Sequence, residues 1–376
     1  MAVFLTAFLA AYTGMHFFVY WRTKVLLPAK GPVHFGIFLF FLLMILAPII
    51  AHLSDRSGHE LPAKIVGWIG YPWMGFIFLA FWGFALAGTL DVILKALGRL
   101  IPFSTLSLSG RRPVGIVLFL VALVWVYGFL EARWVRVEKV TLHTRKLPAD
   151  QTRFRIAQIS DVHLGILTTP ARLRTIVDKI LSESPDLLVC TGDMVDGNSG
   201  SMERYAPILQ GIAPPFGKYA VTGNHECYVG LGPSVEALQS FGFIVLRDTR
   251  ASVGNVLNMV GADDPAGGSH REETDLLAGI NNGLFTVLLK HRPEVRKASR
   301  GLFDLQLSGH THGGQIFPFG FFTGLFYPLQ NGFHRLDNGS HIYTSRGSGT
   351  WGPPLRVLSP PEVTIIDLVR EEGTPP

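Results

Sequence analysis

Hydrophobic and polar positions divide the chain into two regimes. Up to about residue 130 the apolar residues form long runs. Four of these, at 2–21, 33–52, 65–90 and 113–130, reach the roughly 20 residues needed to cross a hydrocarbon core, with almost no charge inside. The pattern predicts four transmembrane helices over residues 1–130. Trp21, Trp68, Trp73, Trp125 and Trp134 fall near the ends of the runs, where indole rings anchor at an interface. The first run lacks a basic leader and three more follow it, so it reads as a span rather than a cleaved signal. His16, His34, His52 and His59 share no ligand spacing and are assigned to interfacial solvation.

After residue 130 the periodicity shortens. Residues 131–150 read as a linker with a leading strand, and 151–370 as one folded domain. FRIAQIS (154–160) is a short apolar strand, followed by the helical stretch ARLRTIVDKILSES and a second buried strand in PDLLVCTGD. KYAVTGNHE, GFIVLRD, LNMVGADD, FTVLLKHRP, FDLQLSGHTHGG and HIYTSRGSG continue the β-like series, with GPSVEALQSFG as a further helix. Short β-rich runs alternating with helices indicate a layered α/β unit.

Charge sharpens the division. Residues 1–130 hold nine Lys/Arg and three Asp/Glu, whereas the remainder carries 24 and 25. The excess of positive charge therefore belongs to the apolar part, and the balanced second part lacks the cationic footprint of a nucleic-acid binder. Arg22, Lys24 and Lys30 follow the first run, and Lys95, Arg99, Arg111 and Arg112 follow the third. Arg56 and Lys64 lie between the second and third, and five more cations follow the fourth. With less weight on charges that flank a long translocated domain, loops 1 and 3 are placed in the cytosol. The second domain is then extracytoplasmic, on a multi-pass protein of the cell membrane. Two cysteines, Cys190 and Cys227, make no disulfide framework.

The polar residues of the second part gather where strand-like runs end. Five runs close in DVH, GDMVD, GNHE, KH and GHTH, which supply Asp161, His163, Asp193, Asn224, His225, His291, His310 and His312. In layered α/β folds strand ends and their loops share a rim where ligands bind. Oxygen and imidazole donors without thiolate suit manganese, iron or zinc. Two dications bring more charge than Asp161 and Asp193 return, and the surplus can hold a phosphate and acidify a water. A lone DxH, HxH or single histidine is an ordinary surface or core feature; the ordered set after five β-like runs points to one two-metal centre.

These blocks resemble the calcineurin-like metallophosphoesterase family, whose pattern is D-x-H, GD-x-x-D, GNH-[DE], a lone His and G-H-x-H. Here they stand as Asp161-Val-His163, Gly192-Asp193-Met-Val-Asp196, Gly223-Asn224-His225-Glu226, His291 and Gly309-His310-Thr311-His312. The resemblance covers roughly residues 150–370 and implies a four-layer α/β sandwich that hydrolyses phosphoric esters or pyrophosphates with two divalent metals. Manganese is the first expectation, with iron or zinc as the others. By analogy Asp161, His163, Asp193 and His312 hold one metal. Asp193 bridges to the second, which Asn224, His291 and His310 complete. His225 then contacts the phosphate and protonates the leaving oxygen, with Asp196 fixing its tautomer.

The family's protein phosphatases carry Arg directly after the second Asp of GD-x-x-D, where this chain has Gly197. Arg292 and Arg346 are candidate replacements, and Arg346 is preferred as the substrate-binding residue because its Gly-rich surroundings resemble membrane-associated members. The resemblance extends to hydrolases of UDP-2,3-diacylglucosamine on the lipid A route. A lipid pyrophosphate is therefore the specific expectation, although it fits poorly with an external domain because nucleotide-linked lipids are made in the cytosol. The alternatives are an extracytoplasmic phosphatase or phosphodiesterase on soluble or cell-wall esters, and a non-catalytic membrane scaffold or metal sensor.

One stretch stands apart from this chemistry. IFPFGFFTGLFYPL (316–329) holds five Phe and a Tyr broken by Gly and Pro, beginning four residues after His312. Its rings either pack into the domain core or meet lipid, as a loop that dips into the membrane or as a trough for acyl chains.

Overall fold

The structure, a computed structural model, describes residues 2–100, 107–268, 271–281 and 283–371. The chain forms two compact units, residues 1–130 with 352–355, and residues 131–351 with those from 356 onward.

The first unit is helical: α1 (Ala2–Thr23), α2 (Gly31–Arg56), α3 (Glu60–Leu100) and α4 (Arg111–Arg133). Three of them, over Gly31–Arg56, Glu60–Gly98 and Arg111–Arg133, are long and apolar enough to cross a membrane among the described residues. This corrects the expected count of four. The first stretch is a helix, but Tyr12, Thr13, Gly14, His16 and Tyr20 dilute its apolar character over the residues that are described. His16 is not at a solvated interface: it is buried, its Nδ1 lies 2.8 Å from the Tyr12 carbonyl oxygen, and the Trp73 indole N–H donates to its Nε2 at 2.9 Å.

The second unit is built on two six-stranded sheets. Its strands are β1 (Arg136–Thr144), β2 (Arg153–Ile159), β3 (Leu187–Thr191), β4 (Lys218–Val221), β5 (Ile244–Val245), β6 (Thr249–Val253), β7 (Leu257–Ala262), β8 (Phe285–Lys290), β9 (Leu305–Ser308), β10 (Gly332–Arg335), β11 (His341–Thr344) and β12 (Glu362–Arg370). One sheet runs β1-β12-β2-β3-β4-β5 and the other β10-β11-β9-β8-β7-β6. Strands β2 to β5 are parallel, and so are β7, β8, β9 and β11. Antiparallel pairs place β12 beside β2, β6 beside β7 and β10 beside β11.

Alternation along the strands makes the layers. Phe154, Ile156, Leu187, Val189, Ile366 and Leu368 point to one face of the first sheet and meet Leu257, Met259, Val287 and Leu289 of the second. The intervening Ala157, Ile159, Leu188, Cys190, Val363 and Ile365 point the other way, toward helices. There α5 (Pro170–Ser182) buries Leu173, Ile176, Val177 and Ile180, a stripe at helical spacing. Thr169 caps it by accepting from the Arg172 amide, with Pro170 at the first position. Helices α6 (Ala206–Gln210), α7 (Asn224–Val229) and α8 (Leu231–Ser240) follow in the same half. α9 (Glu273–Leu277) covers the outer face of the second sheet with Leu276 and Leu277 against Val260 and Leu288. A last short helix, α10 (Gly320–Phe326), follows the second histidine pair. Helix, sheet, sheet and helix give the expected four layers.

The strand pattern also missed an element. EVTIIDLVR is absent from the β-like series read from the sequence, yet it forms β12, one of the longest strands, between β1 and β2. Cys190 and Cys227 are free thiols.

Candidate metal centre

Both sheets send the C-terminal ends of parallel strands to one cluster. Asp161 and His163 follow β2, Asp193 and Asp196 follow β3, and Asn224 and His225 begin α7 after β4. His291 follows β8, and His310 and His312 follow β9. Among the described residues, three overlapping groups bring metal-ligating atoms within 4.8 Å of one another: Asp161 with His163 and His312, His163 with Asp193 and His225, and Asp193 with His291 and His310.

The backbone is bent to achieve this. Asp161, His163, Asp193, His310 and His312 all have φ between 50° and 75°, half of the ten non-glycine residues with positive φ among those described. That region costs about 1–3 kcal/mol for a side chain with a Cβ, and structures retain such strain mostly where function needs the geometry. Each such residue turns the chain directly beyond its strand and aims its side chain back across the rim. The glycines beside them admit close approach: a Cβ on Gly309 would lie 2.2 Å from Asp161 Oδ2 and 1.9 Å from Ser160 Oγ.

The distances separate two halves joined by Asp193. In one, His163 Nε2 lies 3.0 Å from His312 Nε2, and His312 Nε2 lies 3.4 Å from Asp161 Oδ1. In the other, His291 Nε2 lies 3.0 Å from Asp193 Oδ2 and 3.2 Å from His310 Nδ1. Asp193 Oδ2 is also 4.0 Å from His163 Nε2, and its Oδ1 accepts from the His225 amide at 2.9 Å. Asn224 is buried, and its Oδ1 has no hydrogen-bond partner. His225 Nδ1 lies 2.5 Å from Asp196 Oδ1, while Asp196 Oδ2 is 3.4 Å from His163 Nδ1.

Electrostatically the histidines of the cluster divide, His291 and His225 holding protons and His310 and His312 shedding them. Burial lowers the pKa of His291, but the Asp193 carboxylate beside it prevails and pushes it up to about 10. Burial likewise opposes, and Asp196 with Asp193 overcomes it at His225, which rises to about 9. Asp193 and Asp196 stay ionised against their own burial because these imidazoles face them. His310 goes the other way, down to about 3, through burial and the charge on His291. The proton on His291 thus sits where a dication would take its place, the usual coupling of metal binding to proton release.

The two arginines weighed as phosphate clamps have other partners. The Arg346 guanidinium pairs through Nη2 with Glu138 at 2.5 Å and Glu362 at 2.6 Å. Arg292 makes a two-pronged pair with Asp264 at 2.8 and 2.9 Å.

The pattern of strand ends passed over two residues that hold the site together. Glu226 is fully buried and accepts from the amides of Asp193 (3.0 Å), Val195 (2.9 Å) and Gly223 (2.7 Å), tying the loop after β3 to the loop after β4. It was visible in GNHE as the acidic residue three positions after Gly223, a helix-start signature. Arg356 is the largest fully buried side chain among those described. It donates to the carbonyl oxygens of Gly349, His312, Arg346 and Ser359, and its Nη2 lies 3.2 Å from His312 Nδ1. Burial lowers its pKa to about 9, partly offset by Asp161. Its neighbours lie in separate turns, so no local spacing announced it. Arg356→Met is expected to weaken dication binding about 10- to 100-fold, the usual cost of losing a group that orients a ligand. Calorimetric titration of the metal-free full chain with Mn2+ checks this, with Arg356→Lys recovering part of the loss.

Comparison with known proteins agrees with this geometry. The Calcineurin-like phosphoesterase family profile matches residues 154–314. An uncharacterized metallophosphoesterase of Aquifex aeolicus is 39% identical over 257 residues, which is 67% of this chain and 98% of that protein. One from Campylobacter jejuni is 32% identical over 229 residues, covering 59% of this chain and 61% of its own. A transmembrane protein with metallophosphoesterase domain from Danio rerio is 30% identical over 336 residues, 84% of this chain and 75% of that one.

Proposed function

The chain belongs to the calcineurin-like metallophosphoesterase family, metal-dependent hydrolases of phosphoric esters, and from that premise we propose that it cleaves a phosphodiester or pyrophosphate bond at the cluster described above. The observation that carries this reading is the convergence of seven oxygen and imidazole donors from five strand ends of two sheets.

The residues fit a pair of dications. Two pairs of imidazole nitrogens sit 3.0 and 3.2 Å apart, a spacing that needs a proton or a cation between lone pairs. The unpartnered Asn224 Oδ1 supplies a further oxygen donor. In this reading Asp161, His163, Asp193 and His312 hold one ion, and Asp193, Asn224, His291 and His310 the other. The donor set, without sulfur, suits manganese first, then iron or zinc. Bound there, two dications would neutralise phosphoryl charge and acidify the attacking water.

The protein's own part is to orient and to move a proton. With Nδ1 of His225 held by Asp196, Nε2 is left to face the substrate and deliver a proton to the leaving oxygen. The Asp193 oxygen that accepts from the His225 amide fixes where that ring starts.

For the substrate we propose an amphiphilic phosphoester, with UDP-2,3-diacylglucosamine as a specific candidate. Supporting it are the three apolar helices on the same chain and the aromatic rings that border the site. Trp351 and Tyr228 lie 5.4 and 5.5 Å from the His225 ring, and Tyr327 lies 5.2 Å from that of His310. The distribution of Lys and Arg supports an extracytoplasmic domain, whereas a nucleotide-linked lipid substrate would require the cytosolic side. A complete donor set speaks against a scaffold or sensor.

The test is turnover by the detergent-purified full chain with Mn2+. Bis(p-nitrophenyl) phosphate should be hydrolysed, the activity should vanish with chelator and return with metal, and lipid extract incubated with the enzyme should lose a phosphoester species by mass spectrometry. No hydrolysis of any phosphoester in the presence of Mn2+, Fe2+ or Zn2+ would defeat the proposal.

A further inference from the structure

The phenylalanine run does not pack into the core. α10 has no buried residue, and Phe321, Leu325 and Phe326 are 71%, 78% and 80% exposed. Phe317 is also exposed, as is Leu358, whose neighbour Val357 accepts a hydrogen bond from the Phe317 amide at 3.0 Å. A helix this apolar that leaves Phe321, Leu325 and Phe326 in the open gains little hydrophobic stabilisation from folding, and an exposed apolar patch of this kind marks a surface that meets something outside the fold.

The segment is nevertheless ordered. Gln330 donates to the Gly320 carbonyl at 3.0 Å and bonds the Thr323 hydroxyl, while the Thr311 hydroxyl donates to the Gln330 carbonyl at 2.5 Å. Gly314, at φ +81°, lets Gly320 lie so close that a Cβ would be 2.3 Å from the Gly320 Cα. Through Thr311 and Gly314 the exposed helix is fastened directly to the turn that carries His310 and His312.

We propose that α10, with Phe317 and Leu358 beside it, inserts into the lipid bilayer and seats the metal centre at the membrane surface. Three observations select lipid as the occupant. Residues 313–334 contain no Asp, Glu, Lys or Arg, so the segment itself brings none of the charges that give protein interfaces their register. Its exposed face is Phe and Leu, side chains that segments lying at a membrane surface bury at the headgroup and acyl boundary. The chain itself carries the anchor, since only Trp134 and Val135 lie between the apolar helix α4 and β1 in the sequence. The proposal deepens the reading of a membrane phosphohydrolase and rests on it for its meaning, but its readout, lipid adduct, is separate from turnover.

The full chain carrying Phe321→p-benzoylphenylalanine or Phe326→p-benzoylphenylalanine is reconstituted in phosphatidylethanolamine/phosphatidylglycerol vesicles and irradiated. Asp337, whose side chain is 99% exposed, takes the same probe as a control. Positions 321 and 326 should yield about tenfold more lipid adduct than 337, because an inserted ring is surrounded by acyl chains and a water-exposed one is not. Equal lipid adduct at all three positions overturns the proposal. So do adducts at 321 and 326 that are protein alone, whether a second copy or this chain itself. If adduct is absent while bis(p-nitrophenyl) phosphate is still hydrolysed, docking fails and the phosphohydrolase reading stands; adduct without any phosphoester hydrolysis is the reverse result.

Discussion

Asp193→Asn should lower kcat/KM for bis(p-nitrophenyl) phosphate by about 10³-fold or more, on the order of 4 kcal/mol of transition-state stabilisation. Asp193 is the one carboxylate shared by two of the three donor groups, and its oxygens face His291 at 3.0 Å and the His225 amide at 2.9 Å. The amide keeps the size and shape but removes the negative charge that draws cations to the junction of both halves. The same charge holds a proton on His291 in the metal-free protein, so the substitution should also bring the His291 pKa down from about 10. Steady-state kinetics at saturating Mn2+ measures the first effect and NMR titration of the histidines the second. A variant with near wild-type kcat/KM would remove Asp193 from the centre.

His225→Ala carries the second large effect, and its size should depend on the leaving group. General acid help contributes about 10²- to 10⁴-fold, and it matters most when the departing oxygen is basic. An alkyl phosphodiester should therefore lose nearly all turnover, whereas p-nitrophenolate, which leaves without a proton, should lose far less. Metal content should be unchanged. Asp196→Asn should fall between, because it leaves the imidazole in place and removes the carboxylate 2.5 Å from Nδ1. Equal losses for both leaving groups would assign His225 to metal or phosphate binding instead.

Much of the site was legible because each of its blocks is local. A strand end, a tight turn and one or two donors fit within a few residues, as in Asp161-Val-His163 and Gly309-His310-Thr311-His312. Their meeting follows from parallel strands that all present C-terminal ends to one rim. What escaped was long-range. Arg356 is held by carbonyls of residues 312, 346, 349 and 359, groups every residue owns, so no side-chain pattern marks it. Arg346 looked free for substrate in its Gly-rich stretch. Its partners, Glu138 on β1 and Glu362 at the start of β12, are visible only once those two strands pair in parallel. The positive φ at five ligand-type residues has no sequence signal, since Asp and His there replace the glycine that such a conformation favours.

The membrane part shows the same division. Length and hydropathy identify helices, but the first run mixes Tyr, Thr and His into its apolar stretch. His16 finds its partners on Tyr12 and on Trp73, 57 positions away. The phenylalanine run left two readings open because a burst of rings fits a core as well as a bilayer. Exposure of Phe321, Leu325 and Phe326 decides against the core.

The most direct test of the two-cation centre is the metal content of the purified full chain, by inductively coupled plasma mass spectrometry after growth in manganese- and iron-replete medium. The expected result is about two transition-metal ions per chain, about one each in His310→Ala and His312→Ala, and less than one in Asp193→Asn. Metal-free wild type under these conditions, or a content that none of the three substitutions changes, would contradict it.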